Sequence, residues 1–303
     1  MKRYLAVIIL VLLAQVVFGA DTNQGKAGMS FLKVAIDARA AGMAEAYTAV
    51  SQDASATYWN PAGLMLSRRA NVLFNHNEWI EGVRGEFGAV ALAGKRSAWG
   101  FHIRSFNIGD IQVRGDIPTT EQLDNTSANY LSAGLSYARR LRSNIDVGVT
   151  FKYLFEKIYI ESASGLAADL GIMYRPAIPN LRFGAALQNL GKMNKFKNEE
   201  TVLPVVFRIG GLYEIPAGSG IVSAKLAADV VKTSYENLRV QVGTEVLLWR
   251  QIALRGGFMS GYEARNYSFG VGFVRSSIRL DYALTPFSDN LGVTQRFTVN
   301  FNL

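Results

Sequence analysis

The sequence predicts an all-β protein, a transmembrane antiparallel β-barrel of about 14 strands with an N-terminal hatch segment in its lumen. Three observations carry that prediction. From about Ala70 to Leu303, apolar and polar residues alternate in runs of roughly ten, separated by turns, the repeat of a sheet with one oily and one wet face. The chain opens on Lys2 and Arg3, an apolar run over 5–14 and small residues at Gly19 and Ala20, the pattern of a secretory leader. No later stretch is an uncharged apolar run long enough for a membrane helix. The expected organisation is a leader over 1–20, an N-terminal segment over 21–68 and a barrel over 69–303.

Composition narrows the class further. Apolar residues make up 49% of the chain, with 29 glycines and only 7 prolines. A soluble protein can share these values. A barrel needs them, because each strand carries an apolar face and glycine serves where strands bend or side chains crowd. The absence of cysteine excludes a disulfide framework, a thiolate metal site and a lipid-anchored N-terminus. The net charge of +8 is spread along the chain, and no basic cluster is interleaved with aromatics on a helix, so nucleic-acid binding is not expected.

In order, strands are expected near 70–76, 86–94, 97–106, 128–139, 145–159, 166–174 and 181–190. They continue near 205–215, 221–231, 238–248, 251–259, 265–274, 278–284 and 293–301. If the mature N-terminus lies in the periplasm, every second connection should be a short periplasmic turn. Residues 94–96, 140–144, 175–180, 216–220, 249–250 and 275–277 fit that set. The external set holds the longest gaps, 107–127 and 191–204, with shorter ones at 232–237 and 261–264. An even strand number returns the C-terminus to the periplasm, so twelve to sixteen strands are all compatible with the parity.

Alternation assigns the faces. Ile145, Val147, Val149, Phe151 and Tyr153 point to lipid, whereas Asp146, Thr150 and Lys152 point inward. Leu238, Val240, Val242 and Val246 oppose Arg239, Gln241 and Glu245; Tyr267, Phe269, Val271 and Phe273 oppose Ser268, Gly270 and Gly272. Ile278, Leu280 and Tyr282 oppose Arg279 and Asp281, and Leu181, Phe183, Ala185 and Leu187 oppose Arg182, Gly184, Ala186 and Gln188. A Lys or Arg on the lipid face at mid-membrane costs about 2–4 kcal/mol, which enforces the pattern. The inward charges have both signs, so pairing within the bore is expected.

The N-terminal segment breaks the rhythm. Residues 30–65 are alanine-rich and weakly helical. Asn60 is placed to cap a short helix begun by Pro61, and Asp53 and Ser55 suit local turns. Met29, Phe31, Leu32, Val34, Ile36, Tyr47, Tyr58 and Trp59 are too apolar for a solvated tail. The run Asp37-Ala38-Arg39-Ala40-Ala41-Gly42-Met43, then Asp53-Ala54-Ser55-Ala56, then Tyr58-Trp59-Asn60-Pro61-Ala62-Gly63-Leu64, resembles the N-terminal signature of the PorV/PorQ family, in the FadL-like group of barrels. Ala44 stands where that family commonly has a second glycine, which puts a very tight turn after Met43 in doubt. The last strand, with Phe297, Val299, Phe301 and Leu303 on one face, resembles the terminal strand by which the barrel assembly machinery recognises its clients.

The resemblance implies outer-membrane localisation and a folded-in hatch with Asn60, Pro61, Ala62, Tyr58 and Trp59 as gating candidates. It implies either of two functions. One is an accessory role in type IX-like protein secretion, with secreted proteins bearing C-terminal signals contacting the loops 107–127 and 191–204. The other is FadL-like uptake of long-chain fatty acids or other hydrophobic compounds. A structural barrel without traffic is a weaker third. The inward residues are mostly polar, so a hydrophobic pocket would have to be built by the segment itself, with Phe31, Leu32 and Tyr47 as ligand contacts beside Tyr58 and Trp59. Beyond outer-membrane lipid, no cofactor or metal is expected. Catalysis is not expected either: of the two histidines, His76 and His102, the latter lies on an inward strand position beside Arg104, and nothing in the spacing selects Ser105 or Ser132 as its partner.

Overall fold

The computed structural model describes residues 27–114, 124–196, 199–216 and 222–303. The leader over 1–20 and the start of the expected segment lie outside the described residues, as do the tips 115–123, 197–198 and 217–221. Alternation becomes a wall. The strands are β1 (Ala70–Glu78), β2 (Arg84–Ala93), β3 (Ser97–Val113), β4 (Asp124–Arg142), β5 (Ile145–Ile158), β6 (Glu161–Tyr174) and β7 (Leu181–Met193). After a two-stranded ribbon, β8 (Lys195–Phe196) and β9 (Glu199–Glu200), come β10 (Val206–Ile215), β11 (Val222–Thr233), β12 (Arg239–Leu248) and β13 (Ile252–Met259). The wall ends with β14 (Tyr267–Arg275), β15 (Ile278–Pro286) and β16 (Val293–Asn302). All but the ribbon form one closed barrel of 14 antiparallel neighbours, sealed where β1 pairs β16 from Asn71↔Asn302 to Glu78↔Gln295. Closure leaves no unpaired sheet edge, the condition for strands to cross lipid.

The face assignments hold. On β5, Phe151 is 65% exposed while Asp146 and Thr150 are buried. On β14, Phe269 and Val271 stand outward and Ser268 is buried. One strand breaks step. Between β6 and β7 the register shifts at Ala168/Leu170, and Asn189 adopts a left-handed backbone (φ 63°). Gln188 and Asn189 are therefore both buried, and Asp169 Oδ1 accepts the Asn189 N–H at 2.7 Å in place of a ladder bond. A bulge of this kind carries no signal in polarity alone.

Two expectations need correction. Residues 107–127 are not simply a loop: the β3–β4 ladder continues through Ile111↔Thr126 to Val113↔Asp124. At 17 and 19 residues, β3 and β4 overrun the roughly 9–11 that cross a bilayer. Likewise β7 runs on to Met193 in the expected loop 191–204. Polar residues in these extensions read as loop because both faces lie beyond the oily layer. The second concerns what supplies apolar surface in the bore. Its inward wall residues are mostly polar, as expected, but Leu73, Phe87, Phe106, Leu154, Met173, Leu212 and Met259 also point inward and are buried, so the segment does not supply the apolar surface alone. They are apolar because they pack on the N-terminal segment rather than on water.

That segment enters from an unexpected end. Gly28 N–H donates to Val202 O, and Met29, Phe31 and Leu32 cluster with Val83, Phe106, Leu154 and Leu203 at the tall-hairpin end. The described chain then threads down the bore and leaves at the short-turn end, where Ser67 leads into β1.

Candidate functional site

The site is the seat of residues 28–66 inside the wall. Short capped pieces build it. Asp37 takes extended geometry (φ −148°), and its Oδ1 accepts the Ala40 N–H at 2.8 Å, opening the helix Ala38–Gly42. Trp59 Nε1 donates to the other oxygen of Asp37 at 2.7 Å, tying this helix to Ala56–Trp59. Asp53 Oδ1 accepts from the Ser55 N–H and Oγ, the expected local turn. Asn60 caps Pro61–Leu66, with Oδ1 accepting the Ala62 N–H at 3.2 Å and proline at the first position. The tight turn after Met43 does form, without glycine: Ala44 and Glu45 both sit left-handed, at φ 52° and 64°. Ser268 Oγ accepts the Ala44 N–H at 2.9 Å, and Arg265 grips Glu45, so the wall holds a backbone that Ala44 would not choose.

Glycine in the wall makes room. A Cβ on Gly148 would lie 2.5 Å from the Pro61 carbonyl carbon, and one on Gly171 would lie 2.1 Å from Asn60 Oδ1. Gly184 and Gly243 similarly face the backbones of Thr48 and Met43. Asn60 Nδ2 uses this closeness to donate to Thr48 O and Ile172 O, each at 3.1 Å, bridging segment and wall.

Charge does the rest. Arg39 makes a two-pronged contact with Glu245, at 2.6 and 2.7 Å. Glu245 pairs Arg255 at 2.7 Å, Arg255 pairs Asp281 at 2.8 Å, Asp281 pairs Arg279 at 2.8 Å, and Arg279 pairs Asp53 at 2.7 Å. Three guanidiniums and three carboxylates alternate in one buried chain whose two ends, Arg39 and Asp53, belong to the segment. Higher in the bore, Arg265 pairs Glu45 at 2.7 Å. Asp229 accepts the N–H groups of Tyr47 and Thr48 at 3.0 and 2.9 Å. Three further buried arginines stack on the segment's rings or beside them: Arg104 over Phe31 and Tyr58, Arg208 over Trp59, and Arg296 over Trp79. Such stacking lets a poorly hydrated guanidinium stay buried.

The titrating groups of the segment register this field. Burial pushes the Asp37 carboxyl up to about 6, aided by nearby Asp53 and opposed by the Ala40 and Trp59 hydrogen bonds. Burial acts the same way on Glu45, but Arg265, Arg208 and Arg296 outweigh it and hold that carboxyl below its ordinary value. Burial raises the Tyr47 hydroxyl far above its usual range.

The sequence-predicted residues separate into two places. Tyr47, Tyr58 and Trp59 are buried together in the central cluster, and Asn60, Pro61 and Ala62 are buried next to them in the chain. Phe31 and Leu32 sit apart, in the cluster at the tall-hairpin end. Phe31 lines an open cavity, a cup of about 300 Å³ with Trp79, Phe106, Ile108, Tyr130 and Tyr262. A second space of about 350 Å³ opens at the short-turn end among Arg39, Asp53, Lys225, Glu245, Arg255 and Arg279. Residues 35–64 lie between them.

His102 is buried against Phe87 and Gly134, with its ring stacked on Phe87 at 5.6 Å. Ser105 lies on the outward face, paired with Glu86; Ser132 is inward and pairs Arg104 in the ladder, but its Oγ makes no hydrogen bond to the imidazole. Among the described residues no acidic or histidine group could hold a metal ion. Sequence reasoning missed Arg39, Glu45 and Glu245 as anchors. Their signal was the scarcity of charge in the segment, where each ionic residue needs a partner once buried.

A closed barrel of fourteen strands with residues 28–66 packed in its bore is the fold of FadL-like outer-membrane barrels, and solved structures share it. The toluene transporter TbuX of Ralstonia pickettii superposes with a TM-score of 0.62 at 14% identity, covering 90% of this chain and 99% of that one. A FadL homologue of Pseudomonas aeruginosa gives 0.59 at 10%, covering 88% and 98%, and the toluene transporter TodX of P. putida gives 0.52 at 11%, covering 87% and 96%. No curated protein sequence matches the chain. The family model of the type IX secretion system protein PorV matches residues 19–219 of the 303. The chain belongs to the PorV family, and it is an outer-membrane barrel of type IX secretion.

Proposed function

We propose that this barrel is a non-enzymatic docking component that contacts secreted proteins at its tall-hairpin end and conducts nothing through its bore. The leader over 1–20 would deliver it to the periplasm, and the segment over 21–68 would serve as a fixed hatch. The observation that carries the reading is the ion chain from Arg39 to Asp53, which pins the hatch to β12, β13 and β15 at both of its ends. A hatch built to swing would not bury Arg39 and Asp53 in ion pairs that its departure must break. The β3–β4 and β5–β6 hairpins stand above the oily band and offer the surface a cargo protein with a C-terminal signal would meet.

One observation favours uptake of hydrophobic compounds, the toluene transporters being of this fold: the cup walled by Phe31, Trp79, Phe106 and Tyr130. Its volume is at the lower end of small-molecule pockets, and the packed residues 35–64 lie beneath it. Deleting the gene separates the readings. The docking role predicts loss of C-terminally signalled exoproteins from the cell surface with unchanged uptake of long-chain fatty acid and toluene. Normal surface display in the deletant overturns it.

A further inference from the structure

The two rims of the barrel differ in charge. At the short-turn end, Arg69, Lys95, Arg96, Arg139 and Arg142 are exposed and crowd the ends of β1–β4. Arg250 and Arg275 continue the ring. The acids at this end are few and engaged: buried Asp146 takes Arg140 and Arg175, and Glu214 takes Lys225 and Arg182. Among the described residues, none of those five cations is ion-paired with a side-chain carboxylate. The opposite rim carries both signs, with exposed Glu81, Asp110, Glu263 and Asp289 beside Lys157 and Lys192.

Directly above the basic cluster, the outward wall is grooved. A shallow, open recess of about 620 Å³ lies on the ends of β1, β2 and β3 beside the C-terminus of β16, bounded by Arg69, Ala70, Leu92, Ser97, Trp99 and Leu303. Its floor is apolar: Leu92 pairs Trp99 across the β2–β3 ladder, and these two with Leu303 are 56%, 52% and 73% exposed. Trp99 packs on Tyr137 at 4.8 Å, an aromatic pair at the level where the oily band ends. Ser97 faces Arg139 in register, so exposed Arg139 stands on the strand next to the groove.

An apolar furrow on a lipid-facing wall, an aromatic pair at its lower limit and unpaired cations below it match an acyl chain, a glycerol backbone and an acidic headgroup in turn. We propose that this groove and rim form a binding site for an anionic phospholipid of the inner leaflet. The site rests on the outer-membrane reading and on the short turns facing the periplasm. Clustered Lys and Arg next to a bilayer each strengthen attraction to anionic lipid by about fivefold; Arg69 lines the groove, Arg96 directly precedes its Ser97, and Arg139 is the ladder partner of Ser97. The occupant would fasten the seam where β1 meets β16, the ladder that closes the barrel.

Native mass spectrometry of the full-length protein released from micelles tests this, after incubation with phosphatidylglycerol or phosphatidylethanolamine. The expected result is preferential retention of phosphatidylglycerol, reduced at least tenfold by Arg69→Gln/Arg96→Gln/Arg139→Gln and unchanged by Lys157→Gln/Lys192→Gln at the other rim. Trp99→Ala should lower retention of both lipids. Equal retention of the two lipids by the wild type overturns the proposal, as does full retention by the triple variant. If the triple variant keeps its lipid but loses a secretion partner in pull-down, the rim is a protein-docking surface and the lipid site is wrong. Heat-modifiable migration on gels confirms that each variant is a folded barrel. A protein that stays monodisperse without detergent would instead defeat the membrane reading itself.

Discussion

At the residue scale, the hatch is held by groups that tolerate no substitution of charge. Glu245 faces Arg39 and Arg255 at once, so Glu245→Gln leaves two buried guanidiniums short of a partner. The expected cost is about 3–5 kcal/mol, read as accelerated hydrogen exchange and protease cleavage within 35–64 while the barrel strands stay protected. Ala44 offers the opposite case. Its left-handed backbone suits glycine, and Ala44→Gly should stabilise the fold by up to about 1 kcal/mol in thermal unfolding. Asp37 sets a pH dependence. Its carboxyl is raised to about 6 in the fold against 3.8 in the unfolded chain, so the folded state binds the extra proton between those values. Its stabilising contribution is full below about pH 4 and falls by about 3 kcal/mol as pH rises through 6. Hydrogen exchange of the hatch should accelerate over that window. Asp37→Asn should flatten the slope at a constant cost, because its amide nitrogen would meet the Trp59 Nε1 donor.

At the element scale, wall and hatch are made for each other by glycine. Gly148→Val should drive Pro61–Leu66 off β5, since even a Cβ there meets the Pro61 backbone at 2.5 Å. Exposure of Trp59 would report it as a red shift in fluorescence. The strands were legible in the sequence because alternation is enforced wherever one face meets lipid, and β5, β12, β14 and β15 show the assigned faces. What stayed hidden lacked such a constraint. The extensions of β3, β4 and β7 stand clear of the oily layer, and their ladder bonds leave no trace in polarity. The Asn189 bulge inserts one residue that polarity cannot count. In the segment, Asn60-Pro61 announced its own cap through local chemistry. The pairing of Arg39 with Glu245, 206 residues away, is a matter of tertiary closure.

At the scale of the whole molecule, a barrel normally encloses water, and this one encloses its own chain. The bore is divided into a cup of about 300 Å³ above and a charged chamber of about 350 Å³ below, with the hatch between. Tall hairpins stand at one end and a cationic rim at the other. A sealed bore with decorated ends suits a protein that holds partners at a membrane rather than one that passes solutes. The electrical conductance of the purified protein in a planar bilayer measures the seal directly. Wild type should show no steady channels, and Glu245→Gln should show flickering openings as the hatch loosens. Stable, large openings in the wild type would contradict the account.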